Sequence, residues 1–447
     1  MRAHTGGVER LTAAEAEEAE RRVAGALAAA GARVGDRVVL SAPSSAALLC
    51  AALGALRSGV IPVLLDPALT PAEREPLVAD ADPVLVVEGP AAVAALADGP
   101  PAELAPVPLG RPMHYTSGTT GGPRGVWTGA LDEAAATALA DEEADLWGFA
   151  ADDVHLVCSP LHHSAPLRFA GGTLRAGGDV VLLGRFEAAA FAAAAAVAAE
   201  RPTTAFVVPA HLQRLLGAAG PELPPLASFR LLAHAGAPCP DPLKRAALAA
   251  FPEGTVWEFY GSTEGQFTAC PPADWLERPG TVGRARPGRR LSTDPDGTVW
   301  CEVPDFARFT YWRDPDKTAA AWRGEAFTVG DLGRLDPDGY LWLEGRRQDL
   351  LISGGVNIYP LEVERALAAC PGVEEIAVFG VPDEHWGTRV CAAVVGPIEA
   401  DALHAFARDR LAPAKRPKEV VKLPALPRTD RGKVRRSTLA GELGLSP

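Results

Sequence analysis

The stretch Thr116-Ser117-Gly118-Thr119-Thr120-Gly121-Gly122-Pro123-Arg124-Gly125 constrains this chain more than any other. Glycines alternate with small hydroxyl residues, so backbone N–H groups and Ser/Thr hydroxyls can converge on a polyanion without side-chain obstruction, and Arg124 adds charge. The ligand that such a loop predicts is a triphosphate. The common nucleotide loop G-x-x-x-x-G-K-[ST] is excluded, because Arg124-Gly125 stands where Lys-Ser or Lys-Thr would be needed. A plain flexible surface loop fits the same composition when the stretch is taken alone.

A chain of 447 residues exceeds one ordinary core, and 48% hydrophobic content is ample to bury two or more. A formal net charge of −13 argues against general nucleic-acid or anionic-membrane binding and points to a small-molecule partner. The 7 cysteines are scattered with no C-x-x-C pair, which disfavours zinc and a disulfide framework and predicts reduced, buried thiols in a cytoplasmic protein. The start, residues 1–22, is charged and lacks a signal-peptide core. The longest apolar run, around 46–56, stops at Arg57, so no membrane insertion is expected.

Read in order, the pattern predicts a helix over 13–30, a strand over 37–41, a helix over 46–58, and β runs at 60–65 and 84–87. Strands alternating with helices imply a largely parallel sheet. An Ala-rich helix at 188–200 and a strand at 204–208 continue the alternation. From 281 to 345 the pattern shifts to short strands, with Asp296-Gly297 and Asp338-Gly339 as hairpin turns. Beyond 347 a separate apolar pattern predicts a helix at 361–369, a strand at 374–379 and a helix at 401–411.

Five motifs carry a resemblance. They are the loop above, Pro160-Leu161-His162-His163, Tyr260-Gly261-Ser262-Thr263-Glu264, Gly330-Asp331 followed by Gly345-Arg346, and Pro427 to Gly432-Lys433. In this order and spacing they resemble the adenylate-forming superfamily of acyl-CoA synthetases, peptide-synthetase adenylation domains and luciferases, over almost the whole chain. The resemblance implies an α/β fold: a large N-terminal region of parallel-sheet αβ subdomains plus a small β subdomain, then a small mobile α+β C-terminal domain. The expected division is 1–347, an AMP-binding domain trimmed at its start, and 348–447, with the hinge at Gln348 where Asp or Lys is usual. No carrier domain follows, so a stand-alone enzyme is expected.

A carboxylate attacking the α-phosphate of ATP must overcome repulsion between anions, so such a site needs positive charge, Mg²⁺ and fixed geometry. The resemblance gives Glu264 to Mg²⁺, Thr263 to the α-phosphate, and Thr116, Ser117, Gly118, Thr119, Thr120, Gly121 and Arg124 to the phosphates. It sets Tyr260 against adenine opposite Gly236-Ala237-Pro238, with Gly261 and Ser262 alongside and Asp331 and Arg346 at the ribose. Lys433 is the expected catalytic lysine, and His163 the gate of the acid pocket. Gly261, His211 and His234 fall near that pocket, although a satisfied core histidine fits the last two equally well. Gly354 and Gly355 match the loop that lines a thiol tunnel.

The implied reaction is AMP-forming ligation of a carboxylic acid to a thiol, CoA in the first instance, with ATP and Mg²⁺. A carrier-protein arm, or nitrite activation for diazotisation of an aromatic amine, is the alternative. A catalytically silent ATP-binding protein would lack Lys433 or Glu264, and both are present.

Overall fold

The computed structural model describes residues 3–4, 8–116, 124–184, 186–196, 201–218, 226–346, 349, 351–353, 356–383, 386–428, 434 and 436–445. Strand β1 (Val8–Leu11) leads into helix α1 (Ala13–Ala29), which starts at a capping box: Thr12 and Glu15 satisfy each other's backbone N–H groups. Then come β2 (Arg37–Ser41), α2 (Ala46–Arg57), β3 (Ile61–Leu64) and β4 (Leu85–Glu88). These three strands pair in parallel in the order β3–β2–β4. The near-continuous Val/Leu/Ile runs of β2 and β3 are buried on both faces, whereas β4 at the edge keeps Val86 exposed, and α2 is buried over almost its whole length.

β5 (His114–Thr116) and β6 (Arg124–Trp127) pair antiparallel, with Thr116 opposite Arg124, so they bracket the glycine-rich loop as a hairpin. Helix α3 (Glu133–Trp147), capped by Asp132, leads to β7 (Val154–Val157), α4 (Ser164–Arg175), β8 (Asp179–Leu182), β9 (Thr204–Val207), β10 (Leu231–His234), α5 (Asp241–Ala250) and β11 (Val256–Glu258). Five of these strands form a parallel sheet in the order β8–β7–β9–β10–β11, and β1 is added antiparallel to β8. Alternation along β10 separates two cores. Leu232 packs with Ala247 of α5 and Val256 on one face; Ala233 and Ala235 pack with Phe206, Phe259, Phe169 and Trp147 on the other.

The following segment is antiparallel. β12 (Arg290–Thr293) and β13 (Val299–Glu302) form a hairpin around Asp296-Gly297, and β14 (Asp331–Leu335) and β15 (Leu341–Arg346) a second around Asp338-Gly339. Both turn glycines have positive φ, 83° and 82°, the conformation that favours glycine there. The last described region holds β16 (Glu375–Asp383), β17 (Gly387–Val395) and β18 (Glu419–Lys422) with helices Pro360–Ala368 and Ala400–Arg410 around cores of their own. The architecture is the expected α/β one: parallel-sheet subdomains, a small β subdomain and a small α+β C-terminal unit. Element positions match the sequence pattern to within a few residues; the strand expected at 374–379 runs on to Asp383, and the last four residues of the Ala-rich helix expectation, 197–200, lie outside the described residues. No helix among the described residues is long and apolar enough to cross a membrane.

Candidate active site

The site forms where β10 and β11 end, the edge at which parallel α/β sheets bind ligands. After β10 the chain turns through Gly236-Ala237-Pro238; Gly236 has φ of 89° and suits glycine for that reason. After β11 comes the loop 260–267. It is closed on itself by a Gly261–Gln266 bridge, by Ser262 N–H donating to the Gly265 carbonyl at 2.8 Å, and by Phe267 N–H donating to the Tyr260 carbonyl at 3.0 Å. A Cβ on Gly261 would sit 3.1 Å from the Gly265 oxygen, and one on Gly265 only 2.7 Å from the Phe327 ring. Gly265 therefore lets the Phe327 ring pack against the loop, and Gly261 leaves its close turn little slack.

Two tyrosine hydroxyls help tie this loop to the small β subdomain. The Tyr260 hydroxyl donates to Asp331 Oδ2 at 2.5 Å, with both residues buried, and the Tyr260 ring packs on Phe267 with centroids 4.6 Å apart. The Tyr311 hydroxyl donates to Glu264 Oε1 at 3.0 Å. Glu264 is only 7% exposed. Lys317 Nζ lies 4.1 Å over the Tyr311 ring. Burial lowers the Lys317 ammonium below the ordinary lysine range, and the nearby Glu264 carboxylate opposes that shift. Arg124 Nε donates to Asp314 Oδ2 at 2.7 Å, and this holds the Asp314 carboxyl below its usual range. Arg124, Lys317 and Glu264 thus share one charged neighbourhood at the foot of the glycine-rich hairpin. Arg346 pairs with Asp331 across β14–β15, so the two expected ribose residues are cross-strand neighbours.

His163 precedes α4 as its N-terminal cap residue, its ring 4.4 Å from that of His162, and His162 Nε2 lies 3.6 Å from Asp66 Oδ2. The other two expected histidines stand on other elements, His211 in the helix Pro209–Ala218 and His234 at the end of β10. His211 stacks on Phe186 at 4.0 Å, and burial lowers its pKa to about 4. His234 has the alternation of Leu232, so it faces away from the Phe169–Phe259 cluster. It is fully buried against Lys244, whose Nζ lies 2.5 Å from its Nε2, and Lys244 in turn lies 3.5 Å from Glu258 Oε2. His234 is thus a buried histidine engaged through Nε2, while its Nδ1 has no hydrogen-bond partner among the described residues.

Ser117, Gly118, Thr119, Thr120, Gly121, Gln348, Gly354, Gly355 and Lys433 lie outside the described residues, and Thr116 and Arg346 are described by backbone alone. Sequence reasoning missed Tyr311 and Lys317, and also the arginines Arg111, Arg168, Arg286 and Arg289. The run Arg284 to Arg290 was a visible signal for two of these arginines, but only packing reveals that they turn inward.

Comparison with known proteins gives the family. The AMP-binding enzyme model matches residues 1–107 and 112–298, and the AMP-binding enzyme C-terminal domain model matches 362–433. An indoleacetate–CoA ligase of Aromatoleum aromaticum is 36% identical, over 72% of this chain and 65% of that protein. A feruloyl-CoA synthase of Amycolatopsis is 35% identical over 97% of this chain and 94% of its own. Among solved structures, ATP-bound MatB from Rhodopseudomonas palustris superposes with a TM-score of 0.84 at 31% identity, covering 97% of this chain and 93% of that one. The chain belongs to the AMP-binding enzyme family of the adenylate-forming superfamily, and is an ATP-dependent, AMP-forming acid–thiol ligase of the acyl-CoA synthetase kind.

Proposed function

We propose that this ligase converts its acid to an acyl-adenylate with release of pyrophosphate and then passes the acyl group to CoA. The observation that carries this reading is the pair of buried bonds, Tyr260 to Asp331 and Tyr311 to Glu264, which bring the candidate ribose carboxylate of β14 and the candidate metal carboxylate of loop 260–267 together around one loop. In this reading Tyr260 and the Gly236-Ala237-Pro238 turn hold adenine, and Asp331 and Arg346 hold the ribose. Thr263 and the hairpin loop with Arg124 hold the phosphates.

Glu264 suits Mg²⁺, an ion commonly bound by one or two carboxylates together with substrate phosphates and water. A buried carboxylate with one oxygen anchored by Tyr311, beside Lys317, is such a donor. Bound there, Mg²⁺ would neutralise charge on the triphosphate. His163 gates the acid pocket, and Lys433 bridges the carboxylate and the α-phosphate. Residues 348–447 then rotate about Gln348, so that Gly354 and Gly355 admit the thiol arm. Two core systems in the C-terminal unit, separate from those of the sheets, support its moving as a body.

The test is pyrophosphate release from ATP and Mg²⁺ across fatty, aromatic, branched and dicarboxylic acids and nitrite, each with and without CoA. Thioester formation only with acid and CoA together is the expected result. Acid-dependent pyrophosphate without thioester would transfer the reading to a carrier-protein or amine acceptor. Lys433→Ala should abolish adenylation yet still form thioester from supplied acyl-adenylate; full adenylation by that variant would refute its role.

A further inference from the structure

Beneath the loop 260–267 lies a group of charges that the reaction above does not use. Arg286 is fully buried and reaches Glu143 Oε1 at 2.7 Å and Glu142 Oε1 at 3.0 Å, both on α3; its other terminal nitrogen donates to Gln266. Arg289, its side chain only 4% exposed, reaches Glu142 Oε2 at 2.6 Å. Arg168 of α4 lies 3.2 Å from Glu143 Oε2, with its guanidinium 5.6 Å over the Phe259 ring and 5.7 Å over Phe169. Arg111 donates to the Glu264 carbonyl at 3.4 Å and the Ala307 carbonyl at 3.1 Å. Trp147 Nε1 donates to Glu143 Oε2 at 3.1 Å.

Three guanidinium groups, of Arg168, Arg286 and Arg289, therefore share two carboxylates, and Arg111 feels the same field, so within this cluster cations outnumber its paired anions. Arg168 Nη2 and the Nε atoms of Arg111, Arg286 and Arg289 have no hydrogen-bond partner among the described residues. Burial and mutual repulsion lower the pKa of Arg111 and of Arg168 to about 10. Guanidinium stays protonated at any working pH, so the strain calls for an anion. Arg168 keeps an opening, with 19% of its side chain exposed, and Arg111 is likewise only partly buried.

The surroundings say which anion fits. Arg168 borders the cluster of Phe169, Phe206, Phe259 and Trp147, which covers the sheet face below the Gly236-Ala237-Pro238 turn. Ring centroids there are 5.0 to 6.2 Å apart, close packing that leaves little room for a long chain. Building on the ligase reading, we propose that the acid is short and carries a second anionic group, a dicarboxylate-type substrate, and that Arg168 binds that group with Arg111, Arg286 and Arg289 supplying the field. Planar carboxylate on guanidinium is the pairing this geometry favours.

The experiment compares kcat/KM for matched acids, succinate against butyrate and glutarate against valerate, by pyrophosphate release from the full chain. The wild type should prefer each dicarboxylate at least tenfold. In Arg168→Gln that ratio should fall at least tenfold, with partial return in Arg168→Lys. Preference for the monocarboxylates, or an equal fall for both acids, overturns the proposal. So does a rise confined to the KM of ATP, which would give the cluster to the nucleotide phosphates. If no acid releases pyrophosphate the ligase reading itself has failed, and calorimetry of succinate binding to wild type and Arg168→Gln then decides: no arginine-dependent binding overturns the proposal. Thermal unfolding checks each variant, and Arg111→Gln replaces Arg168→Gln should the latter not fold.

Discussion

Replacing Tyr260 by Phe removes one oxygen atom and leaves the ring proposed to face adenine. The hydroxyl donates at 2.5 Å to Asp331 Oδ2, with Tyr260 9% and Asp331 7% exposed, so water cannot readily take its place. A hydrogen bond to a charged group contributes about 1.5–3 kcal/mol, and a buried acceptor that loses its donor forfeits that amount. At about 1.4 kcal/mol per tenfold, a loss of this size carried wholly into nucleotide binding is roughly a 10- to 100-fold fall in kcat/KM for ATP. The ring contact with Phe267 survives, so the KM of the acid should change little by comparison. Steady-state kinetics with ATP varied at saturating acid, alongside urea unfolding, separates the two roles. Stability lowered by 1.5–3 kcal/mol (about the hydrogen-bond value) with ATP kinetics intact would make the Tyr260–Asp331 bond purely structural and refute its part in ribose positioning.

Three further outcomes are expected. Glu264→Gln keeps the acceptor for Tyr311 but removes the charge, so pyrophosphate release should fall about 100-fold or more and need higher Mg²⁺, as a Mg²⁺ titration of the rate would reveal. Lys244→Met strands Glu258 in the core and should destabilise by about 3–5 kcal/mol, whereas Lys244→Met with Glu258→Gln should recover most of the loss in urea melts. His155 is fully buried, its Nδ1 2.9 Å from Thr204 Oγ1, and burial lowers its pKa to about 3. Between the unfolded value near 6.5 and that folded value the unfolded chain binds the extra proton, so stability should drop by up to about 1.4 kcal/mol per pH unit as pH falls; His155→Gln should flatten that slope in denaturation curves.

The fold was legible because its signals are local and repeated. β2 occupies residues 37–41 as the pattern predicts, since a Val/Leu run follows the glycine at 35 that ends the turn after α1. Both Asp-Gly pairs form hairpins because the turn itself demands positive φ. The orientation of single side chains was not legible. His211 stacks on Phe186 from the helix Pro209–Ala218, and His234 turns to Lys244 from β10, where the parity of a residue is not fixed until the neighbouring strands set the two faces.

The arginine cluster shows the same limit at longer range. Arg111, Arg168, Arg286 and Arg289 are spread over nearly 180 residues, and each reads singly as a surface charge. Their partners Glu142 and Glu143 stand in an amphipathic helix whose carboxylates read as solvated, until the α3 face carrying them meets the segment that follows Gly283. Placing them required the fold. Their excess charge is independent of the motifs that identify the family, so it can differ between relatives that share the whole nucleotide site. In the proposed reading, selectivity for the acid and recognition of ATP rest on separate residue sets that meet at one loop: Tyr260 and Glu264 bond to Asp331 and Tyr311, and Gln266 accepts from Arg286. A variant that exchanges acids without altering the KM of ATP should therefore be found among the arginines and the rings of Phe169 and Phe259, not among Tyr260, Glu264 and Asp331.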